Sequence, residues 1–301
     1  MIYKSRTKSK ELIMLEILDK RMKLLSEDKQ RYFSLKKGYE GEILFDSLTE
    51  KLQCDCLILN DLLLEVNHTT FQIDSLIILQ GKIYFFEVKN QEGDYYYESG
   101  KFFKKPNLET INPLFQLGRS ESLLHQLLLK HGFKLPIDAS VVFINPSFIL
   151  YQAPLDQPII YPTQVKNYLS QLNAIPSKIT NRHRELAERL VALHKTESPY
   201  ERIPSFDYDL LRKGITCEKC HTFSIAVGVK NYICKKCRHE GIIEKAILKS
   251  IKEFKFLFPE EKITTSIIYD WCGFVKSKRT VRNILLENFT RVGPHRWSYY
   301  E

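Results

Sequence analysis

The spacing of apolar positions changes from a helical period to a strand period within the first 90 residues. Residues 8–34 predict a long charged helix, and residues 36–52 predict a second helix with one apolar face. Apolar runs follow at 57–64, 71–79 and 82–90. The last two runs are apolar on both faces near the turn that joins them, which is typical of central strands covered on both sides. The first 90 residues therefore predict two helices followed by strands.

The segments after residue 90 predict further turns and helices. The Ser99-Gly100 pair predicts a hairpin turn, and Pro113 predicts the first turn of a helix. Residues 163–172 and 178–194 also predict helices. The predicted domains are a helical arm (1–33), an α/β domain (34–196), a linker (197–214), a cysteine-rich module (215–242) and a helical terminal segment (243–301).

The turn between the two central runs places polar residues opposite each other. If residues 80–81 form a two-residue loop, Asp74 lies opposite Glu87, and Gln72 lies opposite Lys89. All four side chains then project from one face of the sheet, because side chains alternate with a period of two. Facing carboxylates repel each other. A divalent cation between them would remove that repulsion, so the hairpin predicts a metal site.

The residue types at this site fit phosphodiester hydrolysis. Glu42 on a helix, Asp74 on one strand and Glu87-x-Lys89 on the next have the order of a metal-dependent nuclease core. Carboxylate oxygens hold hard cations such as Mg²⁺ or Mn²⁺, which polarise a phosphate and activate water. Asp74, Glu87 and the carbonyl of Val88 are the predicted metal ligands, and Glu42 is a predicted ligand or water-positioning group. Lys89 is predicted to position the attacking water or to offset charge on the phosphate.

At these residues the chain resembles the nuclease-related domain (NERD) family, a branch of the PD-(D/E)XK nuclease superfamily. The resemblance covers roughly residues 34–130. It implies a restriction-endonuclease-like α/β fold, with a mixed sheet flanked by helices, and a role in DNA processing. One departure is Ile73 before Asp74, where the superfamily pattern has proline. The matching elements are Gly38-Tyr-Glu-Gly41-Glu42, Gln72-Ile-Asp74, Glu87-Val-Lys89-Asn90 followed by Gly93, and Gln116 at the start of a helix.

The same residues also have structural interpretations. A Glu-x-Lys pair on a strand is often a solvated edge face, although its apolar neighbours here favour a central strand. Glu42 also fits a helix start that is favoured by the helix dipole. Gln116 fits a functional role and a helix-face role equally, and Gln72 is expected to contact DNA or Lys89.

Four of the seven cysteines form two Cys-x2-Cys pairs with 13 residues between them. Two such pairs presenting thiolates to one ion are typical of a zinc ribbon. Four thiolates close the coordination shell, so the predicted zinc is structural rather than catalytic. A redox dithiol is the alternative interpretation, which the paired motifs disfavour. The predicted ligands are Cys217, Cys220, Cys234 and Cys237.

Basic residues concentrate in the C-terminal third of the chain. The net charge is +9, and residues 201–301 carry 19 Lys and Arg against 12 Asp and Glu. This excess predicts a polyanionic partner, with nucleic acid favoured over a membrane. A basic surface that only maintains solubility is the alternative. Lys235 and Lys236 in the cysteine-rich module are predicted to contact phosphates.

The terminal segment resembles a helix-turn-helix, formed by residues 264–272, a turn at Gly273 and residues 277–286. A hairpin at 290–300 would form a wing, as in winged-helix proteins. The alternative is a small helical domain with Trp271 and Trp297 as core residues. The predicted DNA contacts of the second helix are Lys276, Lys278, Arg279 and Arg282.

Together these features predict a Mg²⁺-dependent deoxyribonuclease with zinc-ribbon and DNA-binding appendages. DNA is the expected partner, with other DNA-processing or defence proteins as further candidates. A cytoplasmic location without membrane contact is expected, because the chain has no signal peptide and no apolar run of about 18 residues. The alternative function is a catalytically inactive DNA-binding or regulatory protein that retains the fold, and RNA is a third, less favoured, substrate. A Walker A sequence is absent, so an ATP-driven step would need a partner.

Overall fold

The computed structural model of the protein describes residues 1–273, 277–294 and 298–301, and these residues form helices and strands. Up to residue 200 the elements are β1 (Ile2–Lys4), α1 (Lys10–Arg21), α2 (Ser26–Thr49), β2 (Leu57–Val66), β3 (Thr69–Ile78), β4 (Ile83–Lys89), β5 (Gly93–Glu98), β6 (Lys101–Lys104), β7 (Leu108–Thr110), α3 (Pro113–Lys130), β8 (Ile137–Phe143), β9 (Phe148–Tyr151), β10 (Ile159–Ile160), α4 (Val165–Asn173) and α5 (Asn181–Ala192). The later elements are β11 (Ile225–Val227), β12 (Asn231–Cys234), β13 (Glu240–Ile242), α6 (Ile243–Leu257), α7 (Thr265–Trp271), α8 (Lys278–Asn288), β14 (Arg291–Val292) and β15 (Tyr299–Tyr300).

Contacts between these elements divide the chain into two units. The first unit comprises Met1–Ser9 and Phe33–Glu201, and the second comprises Lys10–Tyr32 and Arg202–Glu301. Both units therefore combine a short N-terminal segment with a longer segment from later in the chain. The finer domain boundaries expected from the sequence stay predictions.

A six-stranded mixed sheet forms the centre of the first unit, with the strand order β1-β2-β3-β4-β8-β10. β3 pairs antiparallel with β2 and β4, whereas β1 pairs parallel with β2, and β8 pairs parallel with β4 and β10. Ile78 pairs with Ile83, and the Leu79 amide donates to the Lys82 carbonyl at 3.0 Å. The predicted two-residue turn and its register are confirmed.

Helices cover both faces of this sheet. On one face, Leu59 of β2 lies in a core with Leu124 of α3 and the leucines of α5. On the other face, Ile58 lies in a core with Phe45 of α2 and Leu169 of α4. Adjacent strand residues thus enter opposite cores, as the period of two requires. The predicted fold class, a mixed α/β sheet flanked by helices, is confirmed.

A second sheet of the first unit has the strand order β7-β6-β5-β9. β5 and β6 form the hairpin predicted at Ser99-Gly100, with Glu98 paired to Lys101. Ser99 and Gly100 both have positive φ angles, of 49° and 80°. Positive φ at both central residues is the backbone of the type I′ turn, which matches the twist of two-residue hairpins.

The N-terminal helices differ from the prediction. The structure divides residues 8–34 between α1 and α2, and α2 continues without interruption to Thr49. Glu27 and Asp28 in the first turn of α2 favour a helix start there, because the N-terminal end of a helix carries partial positive charge. Leu15 and Leu18 of α1 are fully buried, and α1 packs against α6 in the second unit. Residues 10–32 therefore contribute to the core of the second unit.

The core of the second unit surrounds a buried ion pair. The Arg21 side chain is fully buried and donates to Glu253 Oε2 at 2.6 Å and to the Arg212 carbonyl at 2.9 Å. The guanidinium also lies 4.0 Å from the ring centroid of Trp271, whose indole nitrogen donates to the Ser250 carbonyl at 2.9 Å. Trp271 is therefore a core residue, as the structural interpretation of this segment expected. Trp297, the second tryptophan that this interpretation placed in the core, lies outside the described residues.

Among the helices of the described residues, none is both long and apolar enough to cross a membrane.

We predict that Arg21→Met lowers the free energy of unfolding of the second unit by about 3 kcal/mol, because it leaves the buried Glu253 carboxylate without its partner. Both tryptophans of the chain fall within residues 202–301, so tryptophan fluorescence during urea unfolding reports on this unit. Lys252→Ala, an exposed change on the same helix as Glu253, is the matched control and should change stability by less than about 0.5 kcal/mol. Equal stability of Arg21→Met and the wild type would contradict the importance of the pair.

Candidate active site

Two carboxylates face each other where the β3–β4 ladder ends. The last regular pair is Ser75 with Phe86, and the next residue outward on each strand is Asp74 or Glu87. Asp74 is 7% exposed and Glu87 only 1% exposed. Asp74 Oδ2 accepts a hydrogen bond from the Val88 amide at 2.8 Å, which fixes this carboxylate against the neighbouring strand.

Lys89 joins these carboxylates to α3. Its Nζ donates to Glu87 Oε1 at 2.6 Å and to Gln116 Oε1 at 3.0 Å. Gln116 lies in the first turns of α3, which Asn112 caps by accepting a hydrogen bond from the Leu114 amide at 3.0 Å. The structure therefore brings Gln116, whose functional and structural roles the sequence left equal, into contact with the predicted catalytic lysine.

Glu42 reaches the site from α2, and an arginine near the N-terminus holds it there. Arg6 donates to Glu42 Oε2 at 2.6 Å and to the two oxygens of Asp46 at 2.8 and 3.0 Å. The same guanidinium donates to the backbone carbonyl of Asp74 at 2.7 Å. Because its side chain is only 1% exposed, Arg6 acts as a buried link between α2 and β3.

Close packing of α2 against the end of β4 explains the glycine at position 41. A Cβ atom on Gly41 would overlap the side chain of Asn90. In the space that glycine leaves, Asn90 Nδ2 donates to the Lys37 carbonyl at 2.7 Å. Glycine at position 41 thus allows the backbone of α2 to contact the residue that follows Lys89.

Sequence reasoning missed three charged residues of this region, namely Arg6, Asp46 and Asp61. Asp61 interrupts the β2–β3 ladder between two regular pairs and has a positive φ of 56°. Its Oδ1 accepts from Gln72 Nε2 at 3.2 Å, so the Gln72 amide contacts Asp61 rather than the predicted Lys89. Positive φ at an aspartate inside a strand is a feature of the folded backbone that the sequence pattern did not signal.

The carboxylates of this region exceed its cations. Burial first, and then the charge of Asp74, raise the pKa of Glu42 and of Glu87 to about 8, and burial also raises the pKa of Asp74. The carboxylates are Glu42, Asp46, Asp61, Asp74 and Glu87, and the cations are Lys4, Arg6 and Lys89.

One carboxylate oxygen fits a metal ligand. Glu87 Oε2 is buried and has no hydrogen-bond partner among the described residues. A buried anionic oxygen without a partner is costly, and a bound cation would satisfy it. Glu42 and Glu87 Oε1 are paired with Arg6 and Lys89 instead, so Glu42, Asp74 and Glu87 do not converge as a trio within the described residues.

These groups line a cleft of about 460 Å³ in the first unit. The predicted site residues of this unit all contribute to its wall, and Lys104 and Tyr95 from the smaller sheet also line it. The predicted residues that line the cleft are Glu42, Gln72, Asp74, Glu87, Val88, Lys89 and Gln116.

Residues 37–144 match the family model of the nuclease-related domain (NERD). This match covers the α2 glutamate, the carboxylate hairpin and α3, so the resemblance expected from the motifs is confirmed. It spans about a third of the chain and indicates a nuclease-related function for the first unit. Comparisons with curated proteins and with solved structures gave no match.

The four predicted cysteine ligands cluster outside the nuclease-related domain, in the second unit. Their Sγ atoms all lie within 4.8 Å of one another, with 3.7 Å between Cys217 and Cys237 and 3.4 Å between Cys220 and Cys234. A tetrahedron with metal–sulfur bonds of about 2.3 Å has edges of about 3.8 Å. The cluster therefore has the dimensions of a four-thiolate metal site, and β11, β12 and β13 form the small sheet around it.

The predicted DNA-binding residues divide between two places in the second unit. Lys278, Arg279 and Arg282 of α8 line a cleft of about 1200 Å³ together with Arg291 of β14. Ser277 caps α8 by accepting a hydrogen bond from the Thr280 amide at 3.2 Å. Lys235 and Lys236 lie in the second cysteine knuckle and do not line this cleft, and Lys276 lies outside the described residues.

We predict that the metal-free domain loses stability as the pH rises from about 4.5 to about 8. Because the pKa values of Glu42 and Glu87 are raised in the folded state from 4.5 to about 8, the folded state binds more protons than the unfolded state in this window. A divalent cation such as Mn²⁺ displaces these protons, so it should raise the melting temperature more at about pH 8.5 than at about pH 6.

Thermal unfolding with and without added Mn²⁺ measures this effect, and omission of a chelator keeps the cysteine site intact. Glu87→Gln removes one of the two titrating groups and should flatten the pH dependence. A cation effect that is equal at both pH values, or unchanged in Glu87→Gln, would argue against a metal site at these carboxylates.

Proposed function

We propose that this protein is a metal-dependent deoxyribonuclease, with Mg²⁺ or Mn²⁺ held by Asp74 and Glu87. The observation that carries the proposal is the buried Glu87 Oε2, which lies beside Asp74 in a cleft of the nuclease-related domain and has no hydrogen-bond partner among the residues described. Val88 also lines this cleft, and its main-chain carbonyl is the proposed additional ligand. When bound, the cation supplies positive charge that polarises a phosphate and lowers the pKa of water.

The side chains of the chain itself have distinct proposed roles. Lys89 is held by Glu87 and Gln116 at the cleft surface, where its ammonium group can orient the attacking water or offset charge on the phosphate. Gln116 positions Lys89 by accepting its hydrogen bond. Glu42 is the proposed base or water-positioning group, because its raised pKa lies near neutral pH, where a general base is most effective.

The second unit is proposed to hold the nucleic acid. Lys278, Arg279 and Arg282 share one cleft, and a cluster of cationic side chains binds phosphates with a strong dependence on salt. Lys276, Lys235 and Lys236 remain proposed contacts from their positions in the sequence. The four cysteines are proposed to bind Zn²⁺ as a structural ion, because they leave no position open for a substrate.

One observation favours the alternative of an inactive DNA-binding or regulatory protein. Lys89 and Arg6 already neutralise Glu87 Oε1 and Glu42, so the fold partly compensates its carboxylates without a metal ion. An assay of DNA cleavage distinguishes an active nuclease from an inactive binding protein.

We predict that the wild type cuts plasmid and single-stranded DNA in Mg²⁺ or Mn²⁺, and that Asp74→Asn or Lys89→Met reduces the rate at least about 100-fold. The expected loss follows from removing a metal ligand or the cation that stabilises the transition state. Asp138→Asn is the matched control, because Asp138 pairs with Lys82 and does not line the cleft.

A wild type that cuts no faster than Asp74→Asn would refute the nuclease and leave the binding protein as the explanation. Cleavage of RNA in preference to DNA would support phosphodiester hydrolysis but would make RNA, rather than DNA, the substrate.

We also predict that the protein purified under reducing conditions contains about one zinc ion per chain. Cys220→Ser should lose the zinc and destabilise the small sheet of β11, β12 and β13, since metal binding contributes directly to the folding of such modules. Cys54→Ser, in the first unit and outside the cluster, is the control and should retain the zinc. Elemental analysis decides the point, and a folded wild type without zinc would exclude the proposed ion.

A further inference from the structure

A second groove borders the carboxylate cleft in the first unit. It has a volume of about 430 Å³, within the range typical of small-ligand sites. Gln72 and Gln116 line both cavities, so the groove and the cleft share a wall. The floor of the groove comes from β2 and β3, and one side comes from the first turns of α3. A ligand that occupies the cleft can therefore extend directly into this groove.

Large apolar side chains at this groove are exposed. Ile111, Phe115 and Tyr200 are 82%, 70% and 65% exposed, and all three line it. Apolar side chains gathered at one concave place, beside a candidate catalytic cleft, are typical of a binding site. Arg119 follows Phe115 by one helical turn, is exposed, and has no carboxylate partner among the described residues.

The chemistry of this lining matches an unpaired nucleobase. Aromatic rings stack on the faces of bases, and an arginine beside them adds a cation for the ring or the phosphate. The side chains of Gln72, Gln116 and Ser120 supply hydrogen-bonding groups of the kind that meet base edges. A base in a duplex has its faces covered by its neighbours, so only an unpaired base can use such a surface.

We propose that the Phe115–Tyr200 groove binds an unpaired nucleobase of the strand whose phosphodiester lies in the carboxylate cleft. The inference rests on the proposed function, because it takes the cleft as the phosphodiester site. It makes single-stranded or locally unpaired nucleic acid the substrate class. An apolar peptide would cover Ile111 and Phe115, but it would give no reason for Arg119 or for the wall shared with the cleft.

Binding assays without divalent cation test this inference separately from cleavage. The full-length protein is titrated into a labelled single-stranded oligonucleotide and into a blunt duplex of the same sequence, with anisotropy as the readout. High salt weakens the contribution of phosphate contacts and leaves stacking. Phe115→Leu keeps an apolar side chain but removes the aromatic face, so it should weaken single-strand binding about ten-fold and leave duplex binding unchanged.

A fluorescent variant reports on stacking directly. Phe115→Trp should retain the affinity, and its indole emission should be quenched by the single strand but not by the duplex. The first unit has no other tryptophan, so the difference from the wild type isolates this signal. Leu129→Ala, an exposed leucine on the same helix outside the groove, is the control and should bind as the wild type does.

Unchanged single-strand affinity in Phe115→Leu, an equal loss for strand and duplex, or an unquenched indole would each overturn the inference. If the protein shows the predicted binding pattern but cuts no DNA in the presence of metal, the inference about the groove stands and the proposed nuclease activity is wrong. If the protein cuts DNA but Phe115→Leu does not change binding, the proposed nuclease activity stands and the inference about the groove is wrong.

Discussion

The buried guanidinium of Arg6 is the interaction on which the geometry of the candidate active site depends. It joins Glu42 and Asp46 on α2 to the main chain at Asp74 on β3. Burial alone would lower the pKa of Arg6, but hydrogen bonds and charges from Asp46 and Glu42 raise it, so the side chain stays charged. A helix and a strand that approach from different directions are thereby held at a fixed distance. The carboxylates of both elements can then face one cleft.

Electrostatic balance explains why this site fits a cation. The carboxylates outnumber the cationic groups, and burial makes their ionised forms costly. The structure shows one means of compensation, the pairing of Lys89 with Glu87 and of Arg6 with Glu42. The raised pKa values of Glu42 and Glu87 favour a second, the retention of protons below about pH 8. Both compensations are partial, since Glu87 Oε2 has no hydrogen-bond partner in the part of the chain that the structure describes. An ion that replaced the protons would complete the network, and this links metal binding to pH.

The shared wall of Gln72 and Gln116 places the carboxylate cleft and the apolar groove side by side in the first unit. Gln116 accepts a hydrogen bond from Lys89 on one side and lines the apolar groove on the other. Gln72 is linked to Asp61 and lines both cavities. A strand that crosses this wall would present its phosphodiester to the carboxylates and a base to the aromatic groove. The basic cleft lined by α8 belongs to the second unit, and its cationic side chains are proposed as additional phosphate contacts.

Local pattern was a reliable guide wherever a short-range rule fixed the geometry. A two-residue turn sets the register of a hairpin, so the positions of Asp74 and Glu87 followed from residues 80–81 alone. Runs that are apolar on both faces identified the central strands, and two Cys-x2-Cys pairs identified the thiol cluster. The break between α1 and α2 was misplaced, because the charged residues of 8–34 fit one long helix as well as two shorter ones.

The sequence by itself determined the central strands, the carboxylate hairpin and the four-cysteine site, because each depends on residues a few positions apart or on paired motifs. Tertiary structure alone decided that Arg6 holds Glu42, that Asp61 takes the Gln72 amide, and that Gln116 meets Lys89. These partners are 11 to 36 residues apart in the chain, and no local period relates them. The apolar groove likewise arises only in the fold, because Tyr200 and Phe115 are far apart in the chain and become neighbours through packing.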